Sequence, residues 1–132
     1  MDYKVLYVKA NENLRKALEL SPKSSSFSQS KKNPMHILSK MESLIVESKM
    51  LYIKVEENGY SCKKMIEKCD DLLKDVGRYY SWLGSYYYQK ANEQRDMNTF
   101  ISKSYLKKAE KCFNNYKRLT GGDPVRERVR SL

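Results

Sequence analysis

The chain has 132 residues, 40% of them hydrophobic and 32% charged, with a formal net charge of +10. That is the usual size of one domain and enough to bury a core, while the lack of any apolar run of about 18 residues excludes a membrane span. Three cysteines cannot close a disulfide set and Met1-Asp2-Tyr3-Lys4 has no signal-type apolar core, so reduced thiols in a cytoplasmic or nuclear protein are expected.

A first helix is expected over 2–20. Tyr3, Tyr7, Ala10, Leu14 and Ala17 recur at 4-3-4-3 spacing, and Leu6 and Leu18 widen that stripe. Ser21-Pro22 ends it, because the residue before proline avoids the helical region. Residues 21–34 hold six serines, two prolines and three lysines, the composition of a linker. Ser21-Pro22-Lys23 within it suits a proline-directed kinase, although such dipeptides are common by chance.

A second helix is expected over 35–57. Asn33 serves as its cap and Pro34 as its first-turn residue. Leu38, Met41, Ile45, Ser48, Tyr52 and Val55 form its inner stripe, and Asn58-Gly59 supplies the stop. A third helix is expected over 62–92 with Ser61 as cap. Met65, Cys69, Leu72, Val76, Tyr79, Leu83 and Tyr86 run along it at 4-3 spacing, and Tyr80, Gly84, Tyr87 and Ala91 form the adjoining stripe. Five tyrosines and the sole tryptophan fall between Tyr79 and Tyr88, so this helix is aromatic over two faces. Gly77 and Gly84 sit seven apart on one side of it, where they either kink the helix or let a neighbour approach closely. A fourth helix is expected over 99–120, capped by Asn98 or Thr99. Ile101, Tyr105, Ala109, Cys112, Tyr116 and Leu119 make its stripe, joined by Leu106 and Phe113.

Motifs for catalysis are sparse. The one histidine, His36, lies in a first helical turn with no nucleophile–base pairing implied nearby, and a surface position is expected for it. Cys62, Cys69 and Cys112 lack the close spacing that zinc demands. No phosphate loop or dinucleotide fingerprint is present. The expectation is therefore no catalytic, metal-binding or cofactor-binding residue and no cofactor. Two surfaces remain. Tyrosine and tryptophan are favoured at protein interfaces, which makes Trp82, Tyr86 and Tyr88 the protein-binding candidates; Trp82 and Tyr88 fall off the main stripe and come first. Lys103, Lys107, Lys111 and Arg118 line one side of the fourth helix, and with Lys31 and Lys32 of the linker they are the nucleic-acid candidates.

Tyr80, Leu83, Gly84, Tyr87 and Ala91 on the third helix, and Tyr105 and Ala109 on the fourth with Pro124 beyond, carry a family likeness. Residues 78–124 resemble a helical hairpin of the tetratricopeptide-repeat class, with an insertion of about five residues around Arg95–Thr99 and no second Leu-Gly signature. The resemblance implies a protein-binding scaffold, since that family has no catalytic residues to carry over.

The expected fold is all-α: an antiparallel four-helix bundle or divergent tetratricopeptide-like hairpins. It occupies residues 1–122 as one helical domain, followed by a basic tail at 123–132. The expected core is Leu6, Leu14, Leu38, Met41, Ile45, Met65, Leu72, Val76, Leu83, Ile101 and Phe113. The expected function is a non-catalytic protein–protein interaction module, a small adaptor or subunit whose partner is another protein; an acidic partner and homo-oligomerisation both stay open. The alternative is a basic helical subunit that binds nucleic-acid phosphates without sequence specificity.

Overall fold

The computed structural model describes residues 2–21 and 33–121. Nearly all of the expected linker, including Lys31 and Lys32, and the basic tail at 123–132 lie outside the described residues.

Four helices make up the described chain: α1 (Tyr3–Glu19), α2 (Pro34–Glu57), α3 (Lys63–Gln94) and α4 (Thr99–Thr120). The fold is all-α, and the described residues contain no strand. Side-chain caps explain most of the starts. The Asp2 carboxylate accepts from the Lys4 amide at 3.0 Å, Asn33 Oδ1 from the Met35 amide at 3.1 Å, and Asn98 Oδ1 from the Ile101 amide at 3.1 Å. The third start differs from expectation. α3 begins at Lys63, so Cys62 rather than Ser61 precedes it, and the Cys62 carbonyl accepts the Ile66 amide at 2.9 Å. At the end of α2, Gly59 takes φ of 94°, a left-handed conformation that side chains disfavour.

The helices form two units. The first holds α1, α2 from His36 onward, and α3 as far as Val76. Its α1 and α2 run antiparallel, since rising numbers on one meet falling numbers on the other. Tyr3 stacks on Tyr60 with ring centroids 3.6 Å apart, the Tyr52 hydroxyl donates to Asn11, and Ser48 Oγ donates to the Ala10 carbonyl at 2.9 Å. Leu38, Met41, Ile45, Tyr52 and Val55 are buried on α2, with Leu6, Ala10, Leu14 and Ala17 on α1. Burying each large apolar side chain contributes about 1.5–3 kcal/mol. Lys49 reaches Asp70 of α3 at 2.6 Å.

The second unit begins at Gly77 and contains the rest of α3 together with α4. These two also run antiparallel. Gly77 faces Thr120 and Leu119, Gly84 faces Phe113 and Cys112, and the Ala91 carbonyl accepts from Ser102 Oγ at 2.8 Å. The small residues let the helices approach, one of the two readings that the spacing of the glycines left open.

Several expected core positions are corrected. Met65 and Leu72 are half-buried, and Ile101 is exposed. On α3 the interior of the second unit is Tyr80, Leu83, Gly84, Tyr87 and Ala91, while Tyr79 and Tyr86 are half-buried at its edge. On α4 the same rotation puts Ser102 inside and leaves Leu106 at the surface. Two adjoining aromatic stripes compete for the interior of α3. The stripe that contains Gly84 wins, because only there can α4 come close.

Candidate interaction surface

Packing Tyr80, Gly84 and Tyr87 against α4 turns the opposite side of α3 outward. Trp82 is exposed on that side, and the half-buried Tyr79 and Tyr86 border it at i−3 and i+4, a spacing that keeps the three along one face. Trp82 is 49% exposed, and its indole meets the Tyr79 ring with centroids 5.4 Å apart and planes inclined by 59°. The contact restrains the indole without covering it. Aromatic pairs in such tilted geometry are worth about 0.5–1.5 kcal/mol beyond their area.

At its C-terminal end the stripe becomes cationic. Lys90 Nζ lies 5.6 Å from the centroid of Tyr86, and it pairs with Glu93 at 3.4 Å. The hydrogen bond with Glu93 raises the pKa of Lys90, which keeps the ammonium charged over the ring. Tyr86 then contacts Tyr87 (5.6 Å), and Tyr87 stacks on Tyr105 of α4 (6.1 Å). Lys108 caps both of these rings, at 5.5 and 5.7 Å from their centroids. Burial pushes the Tyr87 hydroxyl up to about 12, so this phenol holds its proton across the physiological range.

The three protein-binding candidates are thus not one cluster. Trp82 and Tyr86 share the outward stripe. Tyr88, half-buried, sits roughly 120° round the helix from Trp82 at 3.6 residues per turn. Tyr79, Lys90 and Lys108 join the site instead. The signal for Tyr79 was its spacing of three from Trp82.

The basic candidates behave differently. Lys103, Lys107, Lys111 and Arg118 are all exposed along the outer face of α4. Among the described residues, none of the three lysines takes part in an ion pair. Charge divides sharply between the units. The described part of the first carries eleven Lys or Arg and eleven Asp or Glu; that of the second carries nine and three.

No protein-family model, curated protein or solved structure matches this chain.

The first unit has a recess of its own, about 450 Å³, lined by Tyr3, Tyr7, Val8, Val55, Tyr60 and Cys62 with Lys4 and Ser61. Its walls are mainly aromatic and aliphatic, and burial raises the Cys62 thiol above its ordinary value. Such a thiol is a poor nucleophile at neutral pH. His36 is exposed on α2 and is not among the residues lining the recess. The described residues contain no cluster of three His, Cys, Asp or Glu able to hold a metal ion. None of their helices is long and apolar enough to cross a membrane.

Proposed function

We propose that the chain is a non-catalytic protein-interaction module, a small helical adaptor or subunit of a larger assembly in the cytoplasm or nucleus. The observation that carries this reading is the half-exposed Trp82, restrained by Tyr79 and continued by Tyr86 at i, i+3 and i+7. That spacing is the one by which a helix face enters an apolar groove. Rigid aromatic anchors supply most of the energy in such interfaces. Of the residues of the tetratricopeptide-like likeness, Tyr80, Leu83, Gly84, Tyr87, Ala91 and Ala109 are buried in the second unit and Tyr105 is half-buried. They support a scaffold reading of the hairpin. The positive charge of this unit favours an acidic partner.

The test is affinity capture from native lysate, treated or not with nuclease, by the wild-type chain and by a Trp82→Ala/Tyr86→Ala variant. A defined protein that survives nuclease and is lost with the variant supports the reading, provided far-ultraviolet circular dichroism shows unchanged helicity. Capture unaffected by the variant removes this stripe as the interface.

A second reading rests on the lysine face of α4. Lys103, Lys107, Lys111 and Arg118 would contact phosphates of a nucleic acid. Binding would weaken steeply with salt, and replacing Lys107 and Lys111 by alanine would lower the salt slope by about two units. Failure to bind any oligonucleotide at about 50 mM salt, where screening is weak, ends that reading.

A further inference from the structure

The turn between α3 and α4 and the first turn of α4 each expose a large apolar side chain almost completely. Met97 is 81% and Phe100 83% exposed, more than any other large hydrophobic residue described. They stand three apart, on either side of the Asn98 cap, and neither belongs to the aromatic stripe of α3. An isolated exposed hydrophobe is ordinary; two only three residues apart, each four-fifths open, make an apolar point at this end of α4.

Phe100 also opens a longer pattern. Phe100, Lys103, Lys107, Lys111, Asn114 and Arg118 advance along α4 in steps of 3, 4, 4, 3 and 4, so they share one face. All six are exposed. At 1.5 Å per residue this face is about 27 Å long. The opposite side of α4, with Ala109, Cys112 and Phe113, is the buried one. The carboxylates at its borders are Asp96, beside Met97, and Glu110, beside Lys111, too few to neutralise it.

We propose that this face docks the chain onto an anionic lipid bilayer, with Met97 and Phe100 entering the headgroup layer and the lysines and Arg118 lying against the acidic surface. Charge complementarity selects an anionic partner, since this unit carries nine basic residues against three acidic. The apolar point selects among anions. The phosphates of a nucleic-acid duplex would meet the lysines and leave Met97 and Phe100 in water, whereas a bilayer offers an anionic surface and an apolar layer immediately beneath it. Contact of this kind needs no spanning helix. It is independent of Trp82, which lies on α3.

Vesicle flotation tests this on the full chain, with neutral phosphatidylcholine vesicles and with vesicles holding about 30% phosphatidylserine, at about 100 mM salt. The expected result is binding to the anionic vesicles alone. Replacing Lys103, Lys107 and Lys111 by alanine should weaken it by roughly a hundredfold, at about fivefold per lysine. Met97→Ser with Phe100→Ser should weaken it by about tenfold or more. Both sets of residues are exposed, so circular dichroism should match wild type. Trp82→Ala should bind vesicles as wild type does. In a W82F background, F100W should shift its fluorescence to the blue on anionic vesicles. No binding to anionic vesicles overturns the proposal. Equal binding to neutral vesicles overturns the role of charge, and unchanged binding by the M97S/F100S variant overturns insertion. Tight binding of an oligonucleotide without vesicle binding assigns the face to nucleic acid instead.

Discussion

Phe113 closes over Gly84 so tightly that a Cβ on residue 84 would stand 2.9 Å from Phe113 Cε1 and 3.1 Å from the Cys112 Cβ. In a free helix Gly84→Ala would gain about 1 kcal/mol. Here the added carbon meets a ring edge and a carbon bound directly to backbone, and overpacking costs about 1–3 kcal/mol. The variant should therefore be destabilised or at best neutral in urea unfolding. A gain near the full helix-propensity value would mean that α4 does not press on Gly84.

Ser48 is fully buried, and its hydroxyl lies 2.9 Å from both the Ala10 and the Leu44 carbonyls. Only one proton is shared between these acceptors. Ser48→Ala leaves the carbonyls with weaker partners and should cost about 1 kcal/mol. Thermal melts would show the loss, and Ser48→Thr, which adds a methyl at a fully buried position, should not restore it in full.

Asn13 should respond in the opposite direction. It is 7% exposed, and its Nδ2 has no hydrogen-bond partner among the described residues. A buried unsatisfied donor costs about 1–3 kcal/mol, and alanine is the better helix former. Asn13→Ala should raise the denaturation midpoint. A lower midpoint would show that the amide is paired in solution.

Alkaline pH should weaken the fold from about pH 9 upward. Burial pushes Cys112 up to about 12, and Tyr52 and Tyr87 to about 12 as well. Their ordinary values are 9.0 for the thiol and 10.0 for the phenols. Between those values and about 12, the unfolded chain releases protons that the folded chain keeps. Stability is thus fully present below pH 9 and is lost as pH rises toward 12. The slope is at most about 1.4 kcal/mol per pH unit for each group. Cys112→Ala should flatten the curve between pH 9 and 10, where the thiol alone contributes among these three, and this holds whatever the variant's absolute stability.

The helices were legible because their boundaries carry local chemistry. Asn33-Pro34, Asn58-Gly59 and Asn98 act within a turn of themselves, so those boundaries fall within about two residues of expectation. The rotation of α3 was not legible to the same degree. Tyr79 and Tyr86 offer as much apolar surface as Tyr80 and Tyr87, and only the approach of α4 to Gly77 and Gly84 separates the two stripes. Ser102 is polar and lies off the expected apolar stripe; its bond to the Ala91 carbonyl puts it inside, and its neighbour Ile101 is exposed. In the candidate site, neighbours in sequence misled. Tyr86 and Tyr88 lie two apart, which on a helix means different faces. Met97 and Phe100 escaped notice because they fall off the apolar stripe of α4, and that offset is itself the signal of an outward residue.

Cys69 and Cys112 are both fully buried, one in each unit. Neither can meet a solution reagent until its surroundings open. In variants that keep one or the other, the rate of modification by a disulfide reagent becomes a clock for that opening. When reclosing is fast, the ratio of this rate to that of an unfolded peptide thiol is the equilibrium constant for exposure. The chain thus carries two built-in gauges of local stability, and if the units open independently, the two will read different free energies in the same molecule.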